Sequence, residues 1–323
     1  MKLSVYYLIL LLSIVTLLFM ISLIFGTYTL SISDLISAFT NANSKDYFTL
    51  IEYRLPRALL AIVLGAALAL SGTLVQAIIR NPLASPEILG INNAAGLAAV
   101  IILSFFPTLS IYWLPPITFI AGIAAFLLLW FLCSYRFSTL KMALIGVALS
   151  ALYAAITHYI MLARPLEINL AMLWLTGSLW GRSWDFVYIA LPWLLIFLPT
   201  SILLGKFLDL LGLGEEKANN LGVNVHRTQL ITLLIAVALS ATAVSVCGPI
   251  AFLGLVAPHM ARKLFGGHHH ILIPASILIG AILLQLADII ARTLAPPLEL
   301  PAGILTAIIG APYFFLLLIR KNK

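Results

Sequence analysis

"RALLAIVLGAALALSGTLVQAIIRNPLASPEILGINNAAG" spans residues 57–96 and joins two incompatible textures. From Ala58 to Ile79 almost every residue is apolar or small, and about 20 such residues cross a bilayer as a helix. Residues 81–96 hold two prolines, Pro82 and Pro86, two glycines, Gly90 and Gly96, and a lone carboxylate, Glu87. Unpaired backbone cannot face lipid, so irregular chain at membrane depth must be buried in protein or line a water-filled space. The stretch therefore reads as one turn of a bundle of membrane helices around an aqueous route. Ser85 is suited to cap a helix, Pro86 to its first position and Glu87 to its positive end, so the break is followed by a restart.

The whole chain agrees. It has 323 residues, 63% of them hydrophobic and 9% charged, and its mean hydropathy is +1.13. A soluble domain carries about 25% charged residues, so too little polar surface is left here to cover a water-soluble globule. The net charge of +7 is scattered along the chain, which does not point to nucleic acid. Cys133 and Cys247 lie in apolar runs and read as small core residues, with no disulfide framework and no metal site. Residues 3–25 are too long for the apolar core of a signal peptide and read as a first span.

Hydropathy predicts a single transmembrane domain over 1–323, an all-α polytopic protein with ten spans: 4–26, 56–79, 88–106, 110–133, 141–163, 187–205, 229–247, 249–261, 271–291 and 302–319. The eighth is short enough to be a half-helix. With the N-terminus inside, the inner segments hold twelve of the Lys and Arg residues and the outer segments six, which supports both termini in the cytoplasm. In the outer loop after the first span, Ser31 and Asp34 have capping-box spacing and predict a short surface helix. "LKMALIGVALSAL" (140–152) and "LELPAGILTAIIG" (298–310) share a pattern but open spans from opposite sides, as inverted repeats do.

Absences narrow the function. No G-x-x-x-x-G-K-[ST] phosphate loop, H-E-x-x-H or G-x-S-x-G occurs, so ATP binding of that kind and intramembrane hydrolysis find no support. Among the eleven acids only Asp288 lies well inside an apolar run, four residues before Arg292, the spacing of an ion pair within one helix. Ion-driven transporters need isolated ionisable groups in the membrane. The chain thus reads as a transporter whose power source lies elsewhere. An ion-coupled secondary transporter is the competing class, and an intramembrane enzyme the third.

Five stretches point to one family: "RLPR" (54–57), "NPLASPEILGINNAAG" (81–96), "LGEEKANNLGVNV" (213–225), "GPIAFLGLVAPHMAR" (248–262) and "ELPAGILTAIIGAPYF" (299–314). They resemble the FecCD/BtuC permeases, the membrane subunits of type II ATP-binding-cassette importers for siderophores, haem and cobalamin. "LWLTGSLWGRSWD" (173–185) and "YRLPRALLAIVLGAALALSG" (53–72) look most like the permeases that serve ferric dicitrate. The resemblance implies ten helices per subunit in the bacterial inner membrane and no cofactor. It implies a second permease subunit, identical or paralogous, two ATP-binding subunits inside and a periplasmic substrate-binding protein outside.

It also implies roles for particular residues. Asn81, Pro82 and Leu83 match one layer of a cytoplasmic gate, and Ser138 and Thr139 the other; a plain helix turn and a plain N-cap are the alternatives. Within a coupling loop at 207–228, Gly214, Glu215, Glu216, Ala218, Leu221 and Gly222 match the short helix that enters a groove on the ATPase. There Ala218 and Leu221 would form an apolar ridge, and Gly222 suits the helix stop. Arg54, Arg57 and Arg292 match arginines that receive glutamates of the binding protein. His158 reads as path-lining or as a core histidine, and His268, His269 and His270 as a solvated loop with no acid nearby. Trp174, Trp180 and Trp184 read as an interfacial belt.

Overall fold

The computed structural model describes residues 2–133, 139–164, 168–296 and 298–320, and among these every regular element is helical. In chain order α1 is Lys2–Ile24 and α2 Ile32–Thr40; a π-helical stretch Phe48–Arg54 runs into α3, Leu55–Ile79. A 3-10 turn, Pro86–Leu89, precedes α4, Ile91–Phe105, and another, Ile111–Trp113, leads into α5, Leu114–Leu132. Then follow α6 (Thr139–Ala163), α7 (Ile168–Leu175), α8 (Trp184–Gly212), α9 (Glu215–Asn220), α10 (Val225–Cys247), α11 (Leu253–Phe265), α12 (His269–Thr293) and α13 (Ala302–Arg320). Each of the ten expected spans has its helix. Seven segments are long and apolar enough to cross a membrane. The 13 residues of α11 rise only about 20 Å, short of a hydrocarbon core of about 30 Å, so it is a half-helix.

One helix organises the rest. α3 packs against α12, α10, α11, α8 and α1, and nearly all of its residues are buried. Its small residues make that possible, since helices without a hydrophobic drive between them associate by close backbone approach. A Cβ placed on Gly72 would lie 1.8 Å from the Gly254 carbonyl oxygen in α11, and one on Gly65 would lie 2.5 Å from the Gly280 carbonyl oxygen in α12. The Ser71 hydroxyl donates to the Ala236 carbonyl in α10 at 2.5 Å, so even the polar groups of α3 are used for packing. By contrast α1 leaves many side chains exposed, among them Ile9, Leu10, Leu17 and Met20, as a helix against lipid does.

Local signals explain most of the boundaries. Ser31 and Asp34 form the full capping box of α2, and those hydrogen bonds hold the Asp34 carboxyl below its ordinary range. Three departures from the expected boundaries bear on the site. α3 is preceded by helical chain from Phe48, so Arg54 and Arg57 sit inside a continuous helical element rather than at its mouth. α8 runs 29 residues, about 43 Å, through Pro192 and Pro199, and so shortens the expected loop from 207–228 to the stretch around α9. Ser85 begins only a four-residue 3-10 turn, with no side-chain capping bond. Gly90 then takes a left-handed φ of 80°, and α4 starts at Ile91, three residues later than expected.

Gly72→Ala is expected to lower the melting temperature of the purified protein in detergent, since overpacking costs about 1–3 kcal/mol. Gly212→Ala, where an added Cβ meets nothing within 4 Å, should leave it unchanged.

Candidate functional site

Three polar assemblies stand out from the apolar bundle. The first is a cavity of about 840 Å³ between the start of α4, the α10–α11 connection and the first half of α13. Glu87, Asn92, Asn93 and Thr176 supply its polar lining, and Ile304, Ala307 and Ile308 its apolar wall. The broken chain noted in the sequence therefore does line open space. Close approaches hold it there: Cβ atoms on Gly146 and Gly303 would lie 2.1 Å and 2.3 Å from the carbonyl oxygens of Ile88 and Thr176.

The second assembly occupies the end of the bundle where α3, α8 and α11 finish and α10 and α12 begin. A cavity of about 440 Å³ is lined there by Arg80, Asn81, Pro82, Asp209 and Arg262, among others. Asn81 shapes its own turn: its side-chain oxygen accepts from the Leu83 N–H at 3.0 Å, and its carbonyl from the Ala84 N–H at 3.0 Å. Leu83 is half-buried. Of the other expected gate layer, Ser138 lies outside the described residues, and Thr139 is the first residue of α6.

Next to this cavity, α9 forms a six-residue helix after Gly214, whose φ of 113° few other residues adopt. Gly222 closes it as anticipated. With φ 84° it lets its own N–H reach the Asn219 carbonyl and the Val223 N–H reach the Ala218 carbonyl, the paired bonds of a Schellman stop. Glu215 accepts from Gln229 at 3.1 Å and lies 3.5 Å from Arg80, tying α9 to α10 and to the end of α3; Glu216 is exposed. The expected apolar ridge does not exist. Ala218 is fully buried within the chain itself, whereas Leu221 is 60% exposed. The chain turns out of the helix after Asn220, so the two side chains no longer share a face.

The histidines also need correction. His268 and His270 are exposed, but His269 is buried, and its Nδ1 lies 2.7 Å from Asp209 at the end of α8. The acid missing from the neighbouring sequence comes from sixty residues away. His158 is exposed on α6. Trp180 is exposed as a belt residue would be, but Trp174 is buried within the bundle.

The third assembly lies at the opposite end and holds Arg54, Arg57 and Arg292, all buried. Arg57 reaches Asp288 in α12 through Nε at 2.9 Å and Nη2 at 2.9 Å, and Glu299 through Nη1 at 2.5 Å. Arg292 lies 3.8 Å from Asp288 and donates to the Ser22 carbonyl at 2.6 Å, so the in-helix pair read from the spacing is secondary to the Arg57 pair. Arg54 donates to the carbonyls of Leu23, Ile24 and Tyr28 at 2.8, 2.7 and 2.5 Å. Three guanidiniums thus meet two carboxylates and the last carbonyls of α1, whose negative helix end favours cations. As they stand, none of these three guanidiniums, expected to dock a partner, is presented at the surface. Of the two acids on Arg57, Glu299 lies nearer the surface, its side chain 10% exposed against 2% for Asp288.

The family model described as the FecCD transport family matches residues 14–320. This chain belongs to the FecCD transport family. It is 54% identical over 281 residues to the Fe(3+) dicitrate transport system permease protein FecD of Escherichia coli (strain K12), covering 87% of this chain and 88% of the relative. It is 48% identical to the Fe(3+)-citrate import system permease protein YfmE of Bacillus subtilis (strain 168), covering 84% and 82%. A solved structure of a metal-chelate type ABC transporter in an inward-facing conformation superposes with a TM-score of 0.86 at 31% identity, over 98% of this chain and 99% of that one.

Within this FecCD chain, sequence reasoning missed the cavity lining and the Asp209–His269 tie. "INNAAG" put two carboxamides beside a break, which was a usable signal for the lining. Nothing local marked Asp209.

Breaking one half of the buried pair leaves an uncompensated charge and costs about 3–5 kcal/mol. Asp288→Ala and Arg57→Ala are each expected to lower the detergent melting temperature sharply. The double variant should lose less than the sum of the two, read by a double-mutant thermal-melt cycle.

Proposed function

We propose that this chain is one permease subunit of an ATP-driven importer that carries an iron(III) chelate from periplasm to cytoplasm by alternating access. Ferric dicitrate is the favoured cargo, because the chain is 54% identical to FecD and 48% identical to YfmE. Another siderophore, haem or cobalamin is the alternative cargo. The observation that carries the transport reading is the partly polar cavity of about 840 Å³ at the broken helix, in a chain without a phosphate loop to power movement. The cavity is open and lacks a wall, which a second permease subunit would supply.

The orientation follows the charges. The end holding Arg80, Lys217, Arg262 and α9 faces the cytoplasm, and both termini lie on that side of the inner membrane. There Asn81, Pro82 and Leu83, with Ser138 and Thr139, close the route in the resting state. α9, with Glu215, Glu216 and the exposed Leu221, meets one of two ATP-binding subunits, and Ala218 supports that surface from inside. The opposite end receives a periplasmic binding protein, whose carboxylate takes the place of Glu299 on Arg57.

Proteoliposomes holding this chain, its partner permease and the ATP-binding subunits are expected to take up ⁵⁵Fe(III)-citrate only with ATP and loaded binding protein. Uptake by the chain alone under an ion gradient would establish a secondary transporter instead. Leu83→Gly should raise ATP hydrolysis uncoupled from uptake; unchanged uptake and hydrolysis would remove the gate role. Leu221→Arg must bury a charge at the interface and should reduce co-purification of the ATP-binding subunit while the permease still inserts. Ala218→Arg should destabilise the permease itself, read as loss of folded protein in detergent.

A further inference from the structure

The large cavity has one chemical oddity that transport alone does not account for. Among its lining residues Glu87 is the sole ionisable group. No ion pair joins it among the described residues, whereas Arg57 and Arg80, at the two ends of the bundle, are paired with acids. Its carboxylate is set beside the backbone N–H of Phe252. Phe252 holds a left-handed φ of 67°, rare for a side chain with a Cβ, and its ring is pressed against Gly310 of α13. Glu87 thus sits beside a strained corner of the α10–α11 connection and lines the cavity. A carboxylate beside Asn92 and Asn93 would be costly against hydrocarbon, so this face meets protein or water rather than lipid.

An iron(III) chelate built from citrate carries net negative charge, since each ligand brings more anionic groups than the metal neutralises per ligand. An unpaired carboxylate in its route repels it. At about 7 Å, with a dielectric between that of water and of a protein surface, one pair of like charges disfavours occupancy by about three- to fiftyfold. Conduction needs a site that is entered and left, and tight binding defeats leaving. The carboxamides of Asn92 and Asn93 offer hydrogen-bond donors to a hydroxy-carboxylate rim, and Glu87 limits how long that rim stays.

We propose that Glu87 is a release determinant of the route: its charge keeps the Asn92–Asn93 face a weak, transient site for anionic hydroxy-carboxylate chelates. This rests on the chelate-permease reading above. The test uses the complete importer with Glu87→Gln, which removes the charge but keeps an acceptor for Phe252, and Glu87→Asp, which keeps the charge. Equilibrium dialysis of the complex without binding protein against ⁵⁵Fe(III)-citrate reads retention, and proteoliposome uptake at saturating loaded binding protein reads turnover. Glu87→Gln should retain about tenfold more iron and turn over more slowly, with Glu87→Asp like wild type. Equal retention by Glu87→Gln and wild type, or Glu87→Asp behaving like Glu87→Gln, overturns the proposal while leaving the chelate reading intact. Should Glu87→Gln fail to assemble, salt decides on the wild-type complex. Screening must raise its retention, and no rise overturns the proposal. Wild-type complex that moves no ⁵⁵Fe(III)-citrate overturns the chelate reading, and the proposal with it.

Discussion

A helix that meets protein on every side leaves its neighbours no room for side chains of ordinary size at the contact points, and α3 is such a helix. Gly72 faces Gly254, Gly65 faces Gly280, and the backbones of α11 and α12 pack where a methyl group would not fit. The positions of α8, α10, α11 and α12 follow from this contact, because each packs against α3. The large cavity lies beyond this central packing, where α4 and α13 are short and α10 and α11 are joined by irregular chain. Close packing in the middle and open space at the side are two results of the same distribution of small residues.

Burying three arginines next to such a core would be ruinous without partners. Each has them, but of different kinds. Arg57 is neutralised by two acids from α12 and from the chain just after it, whereas Arg54 and Arg292 spend much of their hydrogen-bonding on the unpaired carbonyls that end α1. The first helix is therefore fastened to the bundle at its C-terminal end by charge acting on a helix terminus, beside the apolar cluster of Leu23 with Leu30, Leu50 and Ala58.

Much of this was legible in the residues. The apolar runs coincide with helices, seven of them long and apolar enough to cross a membrane. Ser31 with Asp34 marked α2, and Gly222 marked the end of α9, since capping bonds form within a few residues of the signal. The errors share a cause. Arg54, Arg57 and Arg292 sit at the ends of apolar runs in one dimension, and only the fold shows that α1, α12 and Glu299 close over them. Ala218 and Leu221 have the spacing of neighbours on a helix face, but α9 stops between them. Asp209 and His269 are separated by sixty residues, and no periodicity announces such a pair. Local rules placed the elements; the partners of polar groups were decided by packing at long range.

α12, like α3, belongs to both polar ends. At His269 its first turn is held to Asp209 through both the ring and the backbone N–H, and at Asp288 and Arg292 its last turns are held to Arg57 and to α1. Its 25 residues make a rod about 37 Å long. Such a rod, clamped at both ends and pressed on α3 at Gly280, has no free axial slip: a displacement of one turn would sever the contacts at both membrane faces together. Rearrangement of the bundle must therefore either carry α3 and α12 as one rigid piece or bend α12 at Pro274, the one place in its ladder where a backbone donor is already missing.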